Sequence, residues 1–153
     1  MPTIHSVEEL AELVGDRNDL YLRWSSGPDA DADGRSRDAL TGVELLGLSV
    51  NALTVEPWWG GRSRQVWAAR RLYDYDHLGR RRDRNAKPWI LTGRPCGRGP
   101  DNEPLLSDVQ PVAWIGPAVA REARRIIEDL NDDWGSLDRS DTTTTGHDRC
   151  VSA

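Results

Sequence analysis

Apolar residues recur along the chain with two periods, and each change of period marks out an element. Behind Ser6, the residues Val7, Leu10, Ala11 and Val14 fall on one helical face, with Glu9 completing a capping box and Gly15 as the stop. "LYLRW", 20–24, alternates instead, so Leu20, Leu22 and Trp24 share one face of a short strand and Tyr21 and Arg23 the other. A polar loop separates this strand from "GVELLGLSVNAL", 42–53, which reads as a second strand bent at Gly47. After the "EPWWGG" turn, Ser63 caps a predicted helix over 64–78, with Val66, Ala69, Leu72 and Tyr73 inward and Gly79 as its stop.

"PWILTG" reads as a strand buried on both faces. The connection "RPCGRGPDNEP" leads to "LLSDVQPVAWIG", one or two strands interrupted at Pro111. Pro117 opens a last helix whose stripe is Val119, Ala120, Ala123, Ile126, Ile127 and Leu130. These elements predict an α+β fold, a small mainly antiparallel sheet with about three packed helices. One domain is expected over 1–134, followed by a disordered tail over 135–153, where little remains to bury.

Composition sharpens this picture in two places. The 153 residues include no Phe, so seven Trp and three Tyr must supply the aromatic packing. The net charge of −5 is unevenly distributed: residues 62–98 carry 11 basic and 3 acidic groups, between acidic flanks. Cys96 and Cys150 form no CxxC pair and read as free thiols, in keeping with the cytosol. No apolar run nears a membrane span and the start lacks the features of a signal peptide, so a cytoplasmic protein without a membrane partner is expected.

Four constellations bear on function. In "DADADG", Asp29, Asp31, Asp33 and Gly34 imitate the first half of a calcium loop, but the twelfth position is Leu40 where a bidentate Glu is required. A solvated connection is expected there, with no metal, and a lid if its neighbours line a pocket. Arg80, Arg81, Arg82 and Arg84 form a charged loop able to bind anions, including nucleic acid. Trp58 and Trp59 before two glycines, and Asp101 and Glu103 in "GRGPDNEP", are side chains costlier than a connector needs and suit a ligand or partner.

The fourth constellation is Arg23 on the first strand, Ser49 on the second and Glu103 just before a later one. This order resembles the arginine–serine–glutamate pattern of ADP-ribosyltransferases, which split NAD at its nicotinamide bond. The resemblance implies Arg23 on the cofactor's phosphates and ribose, Ser49 supporting the nicotinamide pocket, and Glu103 stabilising the ribosyl cation. The chain departs from that pattern at Val50 and Asn51, where the family has Ser-Thr-Ser, and at Asp101, where it has Glu or Gln.

A closer resemblance spans about residues 4 to 130. "LYLRWSSGP", "GLSVNAL", "PWW", "PWILTG" and "GRGPDNEPL" are similar to a family of short actinobacterial proteins known only as a domain of unknown function. It implies one domain and assigns no activity. The leading expectation is thus a non-catalytic domain that needs no cofactor and binds an unknown protein or small molecule. An NAD-dependent ADP-ribosyltransferase-like enzyme is the alternative, and anion or nucleic-acid binding through the Arg-rich loop comes third.

Overall fold

The first helix begins and ends where the pattern places it. Ser6 Oγ accepts the Glu9 N–H at 3.0 Å, and α1 (Val7–Val14) gives way to Gly15 at a φ of 44°. The structure, a computed structural model, describes residues 1–32, 34–38, 40–82 and 86–130, excepting the side chains of 77–82. The expected tail at 135–153 lies outside the described residues, as does Cys150; Cys96 is a free thiol.

Strands β1 (Thr3–Ile4), β2 (Tyr21–Ser25), β3 (Leu48–Ser49), β4 (Asn51–Ala52), β5 (Lys87–Arg98) and β6 (Pro104–Ile115) form one sheet. Its order is β1-β6-β5-β2-β4, antiparallel except for the β1–β6 pair, and β3 pairs with the far end of β6. Helices α1, α2 (Arg64–Arg82) and α3 (Pro117–Asp129) cover one face, where Leu10, Leu22, Leu72, Ile90, Ile115, Val119 and Ile127 are buried together. The opposite face has a smaller core of Leu48, Val50, Trp89, Leu91 and Leu106. Pro88 to Leu91 are buried because β5 lies between the two cores, as the unbroken apolar run predicts. No described helix is long and apolar enough to cross a membrane.

The sheet curls because its two long strands are bulged. Register shifts between Ile90 and Leu91, Thr92 and Arg94, and Pro95 and Gly97 bend the β5–β6 hairpin until its tip meets β3. These bulges overturn two expectations. Pro111 does not interrupt β6, because it pairs with Leu91 beside a shift that relieves the ladder of its missing N–H. Likewise "RPCGR" is strand rather than connection, with Pro95 next to the bulge at Cys96.

Three other expectations are corrected. Residues 42–47 are no strand but the return of a turn: Asp38 Oδ1 accepts the Leu40 N–H at 2.8 Å, and Asp38 O accepts that of Gly42 at 2.8 Å. This side-chain-built turn outcompetes the β-forming composition and leaves Leu40, Val43 and Leu46 exposed. Helix α2, capped by Ser63 Oγ on the Val66 N–H, runs through Gly79 to Arg82, since the roughly 1 kcal/mol cost of one helical glycine does not stop a packed helix. Tyr73 is exposed rather than inward, because the buried stripe is Trp67, Ala68, Ala69 and Leu72.

Gly47 is where the returning chain grazes the bulged hairpin. A Cβ there would lie 2.6 Å from both Leu106 O and Cys96 Sγ. Gly47→Ala is therefore expected to destabilise the fold by about 1–3 kcal/mol in urea denaturation, whereas Gly61→Ala, with open space around it, should change stability little. Equal midpoints for the two variants would contradict this packing.

Candidate functional site

Curling leaves a cleft where the chain crosses from β3 on β6 to β4 on β2. It has a volume of about 530 Å³ and draws its walls from three parts of the fold. Arg23 and Trp24 come from β2, Ser49, Asn51 and Ala52 from the crossing segment, and Arg98 and Asp101 to Pro104 from the hairpin tip. Arg71 and Tyr75 of α2, with Asn18, Thr54 and Glu56, complete it.

Arg23, Ser49 and Glu103 thus line one concavity. Ser49 Oγ donates to Glu103 Oε1 at 3.1 Å, and the Asp101 N–H donates to Oε2 at 2.9 Å. The carboxylate is held by two donors before any ligand arrives. Local geometry enforces this: Gly99 N–H bonds Glu103 O at 2.8 Å, Asn102 takes a φ of 63°, and a Cβ at Gly99 would overlap the Glu103 carboxyl group.

Arg23 is occupied differently from what the resemblance implies. Its Nε and Nη2 grip both oxygens of Asp31 at 2.7 and 3.1 Å, and its Nη1 donates to Ser49 O at 2.8 Å. The paired side chains are only 13% and 12% exposed, so the contact lies in a weakly screened setting. Asp31 Oδ2 also accepts from Ser25 Oγ at 2.6 Å, which in turn accepts from Trp89 Nε1 at 2.9 Å. A continuous path of polar contacts therefore runs from the core at Trp89 through Ser25, Asp31, Arg23 and Ser49 to Glu103.

Asp31 corrects the reading of "DADADG" as solvated carboxylates. It is a nearly buried anchor, and it ties down the loop expected to act as a lid. Asp29 is exposed, Asp33 lies outside the described residues, and among the described residues no His, Cys, Asp and Glu cluster is placed to hold a metal ion.

The other predicted residues fall elsewhere. Trp58, Trp59 and Trp67 meet edge to face with centroids 5.3 to 5.9 Å apart, and Trp59 is buried with its Nε1 donating to Ser63 O. The Trp58–Trp59 pair therefore closes a small aromatic core and does not line the cleft. Arg80, Arg81 and Arg82 lie on the last turn of α2, not in a loop; their side chains, and Arg84 entirely, are outside the described residues. Burial pushes the Tyr21 phenol up, with Asp19 adding to the rise and Arg98 opposing it, so beside Arg23 on β2 it is a neutral hydroxyl.

A family model described as a family of unknown function, DUF6098, matches residues 1–135. The chain belongs to the DUF6098 family. No curated protein and no solved structure matches it. The cleft of this DUF6098 protein also contains Trp24, Arg71 and Tyr75, of which the sequence marks Arg71 and Tyr75 only as parts of the basic, aromatic stretch around Arg80–Arg84 and not as neighbours of Glu103. Trp24 was assigned to the core by strand alternation. Its place four residues after Trp67 on a helix, where a guanidinium can lie over an indole, is a further legible sign for Arg71.

The Arg23–Asp31 pair sets the position of Ser49, so its loss should be costly. Asp31→Asn is expected to lower stability by about 2–3 kcal/mol, somewhat under the ~3–5 kcal/mol for breaking a fully buried pair. The Arg23→Gln/Asp31→Asn double variant should cost less than the sum of the singles by about 1 kcal/mol or more in denaturant titrations. Strict additivity would show that the two side chains are not coupled.

Proposed function

We propose that this protein binds a small polar molecule in the cleft, with Ser49, Asp101 and Glu103 as its recognition edge. The observation that carries this reading is the convergence of Arg23, Ser49 and Glu103 on one concavity of about 530 Å³. That volume suits a cofactor-sized ligand, and the lining mixes aromatic surface with a few fixed polar groups. Binding alone requires only that the Glu103 carboxylate accept hydrogen bonds from the ligand, a task for which its two internal donors pre-orient it.

The same convergence favours a second reading, an NAD-using enzyme similar to ADP-ribosyltransferases. A carboxylate fixed before the reaction stabilises a developing ribosyl cation without reorganising. In this reading Glu103 touches the reacting sugar, Ser49 orients Glu103, and Arg23 is a positioning residue that holds the Ser49 backbone. Arg23 would not bind the cofactor's phosphates, because Asp31 and Ser49 O already take its donors.

Calorimetric titration of NAD, paired with an assay for released nicotinamide, separates the readings. The enzyme reading expects Glu103→Gln to bind NAD within about threefold of wild type while losing roughly 100-fold or more of its cleavage rate. NAD binding without cleavage in the wild type would leave the binding reading and remove the enzymatic one. No detectable NAD binding would also remove the NAD-dependent reading.

A further inference from the structure

Among the described residues, two side-chain donors are shielded from solvent and lack a protein acceptor: Trp24 Nε1 and Arg71 Nε. Both side chains line the cleft, and Trp24 also borders a neighbouring groove at the start of α3. Arg71 is the sharper case because it carries a full charge. Its guanidinium lies over the Trp67 ring, 4.4 Å from the centroid, and among the described residues its Nε meets no acceptor.

Nearby arginines are spent on the protein. Arg70 pairs with Asp74 at 2.8 Å, Arg64 reaches Asp16 at 3.4 Å, and Arg23 grips Asp31. Arg71 alone among these is flattened on an indole with the Nε edge of its fork unsatisfied. Stacking fixes the plane of the guanidinium on the cleft wall, and the partner that matches a planar fork is an oxyanion. Trp67 is itself immobile, being 3% exposed with its Nε1 donating to Leu53 O at 3.1 Å.

We infer that Arg71 is the anion receptor of the cleft and takes a phosphoryl group of the bound molecule. This rests on the small-molecule reading above and adds the ligand's class, a phosphorylated compound whose hydroxyls reach Glu103 at the other wall.

The test is a titration of the full chain with inorganic pyrophosphate and, separately, uncharged adenosine. It is followed through the Arg71 Nε–H and the Trp24 and Trp67 indole resonances. Pyrophosphate should shift Arg71 Nε–H saturably and bind at least tenfold more weakly to Arg71→Gln. Arg71→Lys should recover part of the affinity, and Arg64→Gln should bind as wild type. The affinity should also fall as salt rises. An unmoved Arg71 signal, or equal weakening by Arg64→Gln, overturns the inference. Adenosine shifting Trp24 while pyrophosphate leaves Arg71 unmoved overturns the anion assignment and keeps the small-molecule cleft. No shift at any cleft residue with either probe counts against both. Amide spectra of each variant matching wild type exclude misfolding as the cause of a loss.

Discussion

The cleft depends on one ion pair. Arg23 and Asp31 are eight residues apart, and their bidentate contact ties the acidic loop to β2 and, through Arg23, to the crossing segment at Ser49. Removing the carboxylate from a guanidinium this little exposed would cost several kcal/mol. Asp31 is thereby committed to structure. The third donor group of Arg23, on the Ser49 carbonyl, extends the constraint to the hydroxyl that holds Glu103.

This tie has meaning only because the sheet curls. A flat β5–β6 hairpin would project its tip into solvent, and Glu103 would sit far from Ser49. The three register shifts turn the hairpin so that Leu105 and Leu106 pair with Ser49 and Leu48. Close approach then favours small residues at the contact: a Cβ at Gly47 would lie 2.6 Å from Leu106 O, and one at Gly93 3.1 Å from the Leu106 side chain. The backbone bends and the ion pair therefore act on the same few residues from opposite sides.

Much of the fold was legible in local signals. The Ser6 cap, the Gly15 stop, the stripe of α3 and the doubly buried run of β5 are set by neighbours within a few residues, where spacing and capping chemistry decide. Placing polar residues on strands singled out Arg23, Ser49 and Glu103, but their order along the chain left open whether they share a cleft. What escaped were long-range choices. Nothing near Pro111 or Pro95 announces the bulges that admit them, and nothing in "DADADG" reveals that its middle aspartate turns inward to a strand arginine. Residues 42–47 misled for the converse reason, since a turn organised by Asp38 overrode an apolar composition whose side chains remain in water.

The missing Phe explains why the aromatic cluster and the cleft are joined. With tryptophan supplying the bulk, the packing between the segment after β4 and α2 contains indole N–H groups that must find acceptors. Trp67 finds Leu53 O and Trp59 finds Ser63 O, so the cluster staples the strand segment to the helix by hydrogen bonds as well as by contact. A phenylalanine would fill similar space without those bonds and would offer Arg71 a smaller, less electron-rich face. The tryptophans were expected to serve either as core or as a ligand-binding wall. Trp59 and Trp67 are core, and through Arg71 that core sets the orientation of a charge on the wall of the cleft.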